Sequence, residues 1–169
     1  SDRRNLHKLP VELLEGDLRS APSLRRAVAG CDSLFHVAAD YRLWVPNPET
    51  MYDINVRGTQ ALILAAAEAG VKRMVYTSSV ATLGTNQDGI PADEETPSSL
   101  VAMTGHYKRS KFMAEQVVQQ MTDEHKLPLV IVNPSTPIGP RDIKPTPTGR
   151  IVVDTLRDRM PAYVNTGLN

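Results

Sequence analysis

Cysteine is nearly absent: Cys31 is the one cysteine in 169 residues. A single thiol excludes an internal disulfide and fits a reducing, cytoplasmic compartment. Placed just after a helix, Cys31 reads as a small buried hydrophobe. Neither sign of charge is in excess, with 19 Lys+Arg against 19 Asp+Glu. That balance gives no electrostatic case for nucleic acid or an anionic membrane as partner. The histidines, His7, His36, His106 and His125, lack ligand spacing, so no metal site is expected. Long apolar runs are missing too. The longest, 61–67, stops at Glu68 and is too short for an integral membrane segment. The opening Ser1-Asp2-Arg3-Arg4-Asn5 precedes no apolar core and is not a signal peptide. With no initiating Met, the chain reads as a segment of something longer. Repeats and low-complexity tracts are lacking as well.

What remains is ordinary globular composition, 41% hydrophobic and 22% charged, enough for one domain. Strand and helix signals alternate. An apolar run at 11–14 ends at Gly16-Asp17-Leu18 and reads as a first strand. Residues 22–29 predict a short helix with Pro22 in its first turn and Gly30 as its stop. Residues 33–39 predict a buried strand. Asn47-Pro48 opens a helix whose apolar spacing runs without interruption to Ala69, closed by Gly70. Residues 73–78 and 129–132 predict further strands. A polar loop at 82–104, a helix from Tyr107 to about His125, an irregular Pro-rich stretch at 133–147 and a helix over about 148–159 complete the pattern. Strands separated by such helices predict an α/β fold, a Rossmann-type doubly wound parallel sheet. In such sheets ligands sit beyond the carboxyl ends of the strands. Small or polar clusters occur at four such ends: Gly16-Asp17-Leu18, Ala38-Ala39, Ser78-Ser79 and Asn133-Pro134-Ser135.

Tyr107 and Lys111 are four residues apart in a predicted helix, which places phenol and ammonium on one face. A nearby cation favours the phenolate, so such a tyrosine can exchange a proton near neutral pH. Tyr107, Lys111, Ala114, Val118 and Met121 form one amphipathic stripe. Lys108, Arg109, Glu115, Gln119 and Gln120 point mostly elsewhere. A lysine on a core-facing stripe is costly without a partner or ligand, which favours a functional role over decoration.

The ordered set of Gly16-Asp17-Leu18, His36-Val37-Ala38-Ala39, Asn55-Val56-Arg57-Gly58-Thr59, Val75-Tyr76-Thr77-Ser78-Ser79, Tyr107-x-x-x-Lys111 and Asn133-Pro134-Ser135 through Gly139-Pro140-Arg141 resembles the extended short-chain dehydrogenase/reductase superfamily, the NAD-dependent epimerase/dehydratase family. Within it, residues 133–147 and 162–169 are most similar to hopanoid-associated sugar epimerases, themselves similar to dihydroflavonol 4-reductases. The resemblance implies an NAD(P)-dependent oxidoreductase or epimerase acting on a secondary alcohol or ketone, with a nucleotide sugar or ketone as small-molecule substrate. It implies Tyr107 as general acid/base, Lys111 on the nicotinamide ribose, and Ser79 on the substrate oxygen. Asp17 and Leu18 would meet the adenine. Val37, Ala38 and Ala39 would lie by the ribose and pyrophosphate, Thr77 by the nicotinamide ribose, and Pro134 and Thr136 by the carboxamide. Asn55 would brace strand ends. Tyr41, Leu43 and Trp44 either face substrate or pack as an aromatic loop. The parent protein would be a homodimer.

Two departures from the family pattern shape the expectations. Val80-Ala81 follow Ser79 where 4,6-dehydratases carry an Asp-Glu pair, which argues against elimination chemistry. The glycine-rich Gly-x-x-Gly-x-x-Gly turn is absent, as is the strand end that separates NAD from NADP. Arg3 and Arg4 would fall just beyond that end and tilt the choice to NADP, or else form a solvated charge cluster. The expectation is therefore a partial Rossmann domain over 1–169, lacking its first two strands, with a substrate-binding region starting near 139. Such a polypeptide alone would neither fold cooperatively nor bind cofactor. The competing class is a non-catalytic dinucleotide sensor or scaffold of the same fold, against which intact Ser79, Tyr107 and Lys111 argue.

Overall fold

The computed structural model describes residues 3–42, 44–86, 90–143 and 145–162. The chain divides into two compact bodies, Leu14–Pro134 and a second made of Ser1–Leu13 with Ser135–Asn169. The larger body carries helices α1 (Ala21–Val28), α2 (Pro48–Tyr52), α3 (Thr59–Glu68) and α4 (Gly105–His125), and strands β1 (Ser33–His36), β2 (Arg73–Thr77) and β3 (Leu129–Val132). The smaller body holds α5, Pro147–Leu156, capped by Thr146 Oγ1 accepting from Gly149 N at 3.2 Å.

The three strands are parallel in the order β1-β2-β3, as the alternating pattern predicts. Gly30 and Gly70 stop α1 and α3 with φ of 73° and 74°, conformations glycine adopts without steric cost. Asn47 opens α2 as an N-cap, its Oδ1 accepting from Glu49 N at 3.1 Å. The predicted uninterrupted helix to Ala69 is instead broken: a π-type turn, Asp53–Gly58, separates α2 from α3. At its end Gly58 lets Leu18 approach closely, since a Cβ there would sit 2.7 Å from Leu18 Cβ.

One face of the sheet is covered. Met74 and Tyr76 of β2 pack with Leu24 and Val28 of α1, Ile63 and Ala66 of α3, and Ala114, Val118 and Met121 of α4. The register aligns Phe35, Val75 and Val130 across the opposite face. There Phe35 is 70% and Val130 60% exposed.

The structure corrects further expectations, among them the buried strand at 33–39: β1 ends at His36, and Phe35 and Val37 are exposed. Residues 11–14 form no strand: no neighbour pairs with them among the described residues, and Val11, Leu13 and Leu14 are exposed. Cys31 is exposed rather than buried, because it follows the end of α1 on the solvent side with its Sγ near Ala27 O. Glu115, expected on the solvated side of its helix, is 8% exposed.

The uncovered apolar face generates a prediction. The 169-residue chain expressed alone is expected to bind the dye ANS through the Phe35–Val130 face and to unfold over a broad thermal range. Calorimetry showing a sharp transition, together with micromolar NADPH binding, would contradict it.

Candidate active site

The site is assembled where the carboxyl ends of the three strands meet α4. Its centre is Lys111, 3% exposed. Lys111 Nζ donates to Tyr76 Oη at 3.0 Å and to the Thr77 carbonyl at 2.9 Å, and lies 4.6 Å from the centre of the Tyr76 ring. Two of the three ammonium donors are thus satisfied by β2. Burial lowers the Lys111 pKa to about 8, and the carboxylate of Glu115 opposes that fall.

His36 also lies against the Tyr76 ring, tilted to it with centroids 5.5 Å apart, and its Nε2 pairs with Thr59 Oγ1 at 2.8 Å. Burial, then the charge of Lys111, lowers its pKa to about 4, so the imidazole is neutral at physiological pH. Burial also pushes the Tyr76 phenol upward, reinforced by Glu115 and Tyr107. Tyr76 is therefore a neutral support for the ammonium. Tyr107, one turn before Lys111 on α4 and half-buried, is the tyrosine placed to reach a ligand.

Ser79 follows β2 and begins a short turn, Val80–Thr82. Its Oγ accepts from Ala81 N at 3.1 Å, which leaves the hydroxyl hydrogen to donate outward. Pro134 accepts from Val80 N at 3.1 Å, joining the ends of β2 and β3. The segment after β1 is held by Asn55. Asn55 Oδ1 accepts from Asp40 N at 2.7 Å, and Nδ2 donates to Asp40 O at 2.9 Å and to Ser110 Oγ of α4 at 2.9 Å. Asn55 is thus a brace in its surroundings, reached by the π-type turn. Beside the start of α4 lies a cavity of about 460 Å³ lined by Ala81, Gly84, Ser98, Met103 and Lys108, among others. Gly84 is required there, because a Cβ would fall 2.2 Å from Pro97 O.

The other sequence-predicted residues are more scattered. Asp17 is exposed at the loop before α1, its carboxylate gripped by Arg19 with Nη2 at 2.6 Å, which draws its pKa down to about 2. Val37 and Ala38 are exposed past β1, Ala39 and Tyr107 half-buried, and Thr77 half-buried at the end of β2. Thr136 lies in the other compact body, with a φ of 39°. Tyr41 and Trp44 are exposed, and Leu43 lies outside the described residues. Sequence reasoning missed Tyr76 and Glu115. The spacing of Lys111 and Glu115, one helical turn apart, was the available signal for the second.

Comparison with known proteins places this geometry. The model of the NAD dependent epimerase/dehydratase family matches residues 1–162. A Synechocystis protein named "Putative dihydroflavonol 4-reductase" is 51% identical over 169 residues, 98% of this chain and 48% of the relative. The crystal structure of gox2253 superposes with a TM-score of 0.91 at 58% identity, covering 100% of this chain and 51% of that one. A Streptomyces venezuelae dTDP-glucose 4,6-dehydratase, DesIV, solved with NAD bound, gives a TM-score of 0.70 at 26% identity, over 85% of this chain and 44% of that one. The chain spans about half the length of these relatives.

Two predictions follow from the lysine's surroundings, both for a protein carrying this chain at the relatives' full length. Tyr76→Phe removes an acceptor from a buried ammonium, so the Lys111 titration is expected to fall below about 8. Stability should drop by about 1.5–3 kcal/mol, the usual worth of a hydrogen bond to a charged group. Lysine Nζ NMR and chemical denaturation check both. For His36, the folded pKa of about 4 lies below the unfolded 6.5. The unfolded state therefore binds the extra proton between these values, and stability is lost as pH falls from 6.5 toward 4. His36→Asn should flatten that part of the stability–pH curve.

Proposed function

The chain belongs to the NAD-dependent epimerase/dehydratase family, and we propose that Tyr107, Lys111 and Ser79 form its proton-transfer site for a secondary alcohol or ketone. The buried, doubly anchored Lys111 carries this reading, because a charge held at such cost beside a reachable tyrosine serves proton transfer better than packing. Tyr107 Oη gives a proton to, or takes one from, the substrate oxygen. The Lys111 charge lowers the cost of the phenolate. The free hydrogen of Ser79 Oγ holds the same oxygen in place, so the proton moves along a fixed path.

The donor set suits a nicotinamide dinucleotide. Lys111, Thr77 and Tyr107 would hold the nicotinamide ribose, Pro134 the carboxamide, Val37, Ala38 and Ala39 the ribose and pyrophosphate, and Asp17 and Leu18 the adenine. Small side chains after β1 leave room for that approach. When bound, the dinucleotide supplies or takes the hydride. The glycine-rich turn that would hold the pyrophosphate is not in these 169 residues. We therefore assign the activity to a longer protein containing this chain, working as a homodimer.

Nucleotide sugars and flavonoid- or steroid-like ketones are the two substrate classes, with the cavity at Gly84, Ser98 and Lys108 on the substrate side. Val80 and Ala81 offer no carboxyl group after Ser79, which supports epimerisation or reduction over dehydration. In the full-length protein, Tyr107→Phe is expected to lower turnover by about 10²–10⁴-fold. NAD(P)H absorbance against a panel of both classes measures the loss and identifies the class. Undiminished turnover in the Phe variant would defeat the proton-transfer role of Tyr107, and no turnover of any panel member by the unsubstituted protein would favour the sensor or scaffold reading.

A further inference from the structure

The proton-transfer residues do not use Glu115, yet its carboxylate is buried in the same helix. Its Oε2 accepts from Thr82 Oγ1 at 2.8 Å and from Asn133 Nδ2 at 2.9 Å. Asn133 Nδ2 also reaches Thr82 Oγ1 at 3.0 Å and Ser79 O at 3.3 Å. Thr82 N lies 3.0 Å from Ser79 O, and the Thr82 hydroxyl 2.7 Å from it. The hydroxyl hydrogen and the two amide hydrogens balance the three oxygens available to them, Glu115 Oε2, Ser79 O and Thr82 Oγ1. The network is closed around a charged acceptor and joins the Ser79 turn, the end of β3 and α4.

We propose that Glu115 is a positioning residue of the proton-transfer site. It fixes the Ser79 turn and the β3 terminus to the helix face that carries Tyr107 and Lys111. This rests on the proton-transfer reading of Tyr107, Lys111 and Ser79.

The geometry gives the role its physical content. Ser79 follows β2, Asn133 follows β3, and Tyr107 and Lys111 belong to α4. No backbone ladder connects a strand end to a helix, so side chains must set that spacing. A misplacement of about 1 Å can cost about 10²-fold in rate. Besides Glu115, the ionisable groups facing Lys111 are His36 from β1, Tyr76 from β2 and Tyr107 from α4 itself. His36 and Tyr76 remain neutral, and Glu115 is the neighbour that opposes the fall burial imposes on the Lys111 pKa.

The test uses Glu115→Gln and Glu115→Ala in the full-length protein, with Thr82→Val as a variant that leaves the carboxylate in place. Gln keeps an acceptor for Thr82 and Asn133 but removes the charge. Both Glu115 variants are expected to move the Lys111 titration, followed by lysine Nζ NMR, to lower pH, and to move the alkaline limb of kcat with it. Glu115→Ala and Thr82→Val are expected to speed hydrogen exchange at Val80, Ala81 and Thr82. They should lower kcat by about 10-fold or more while KM for cofactor stays within about twofold. Glu115→Gln should keep the slow exchange. Unchanged titration and exchange in both Glu115 variants, with activity lost only in proportion to unfolded protein, would overturn the proposal. If Glu115→Ala does not fold, Glu115→Gln and Thr82→Val carry the same two readouts. Tyr107→Phe run alongside separates the hypotheses: if it leaves turnover intact, the proton-transfer reading has failed, whatever Glu115 does.

Discussion

Burying the ammonium of Lys111 is unfavourable unless its donors find acceptors and its charge finds an opposite. The site is organised around meeting both demands. β2 supplies the acceptors, Tyr76 Oη and Thr77 O, and Glu115 of α4 opposes the fall that burial imposes on the lysine's pKa. Two more polar residues of the same helix reach the other strands, Ser110 through Asn55 to the segment after β1, and Glu115 through Asn133 to β3. One helix thus holds all three strand ends by buried hydrogen bonds. The apolar residues Ala114, Val118 and Met121 below them bind it to the sheet.

Environment separates groups of similar chemistry. Tyr76 and Tyr107 both lie near the ammonium, but Tyr76 is sealed in the core and its phenol is driven upward, while Tyr107 is half-buried at the helix start. His36 is kept neutral beneath the same ring. The ammonium therefore stands against two neutral rings, Tyr76 and His36.

Much of this was legible in the sequence. The stripe from Tyr107 to Met121 pointed inward because helical periodicity reports burial directly, and β3 fell at 129–132 as its apolar run implied. Other features depended on tertiary context. An apolar run such as 11–14 becomes a strand only beside a pairing neighbour, and among the described residues none pairs with it. Glu115 lies next to Ala114 and looked solvated by angle alone. The Ser79 turn and Asn133 close over that side of the helix and bury it. The π-type turn at Asp53–Gly58 carries no periodicity signal, because the apolar spacing on either side of it stays near that of an α-helix.

Lys111 takes one of its two anchors from the main chain, at the Thr77 carbonyl. A backbone oxygen is present whatever side chain occupies the position. Mutation at 77 can therefore reshape the surface offered to a ligand without removing that anchor. Position 76 has no such freedom, since its contribution is a hydroxyl. Adjacent residues of one strand thus support the same lysine by different means, one through its backbone and the other through its side chain.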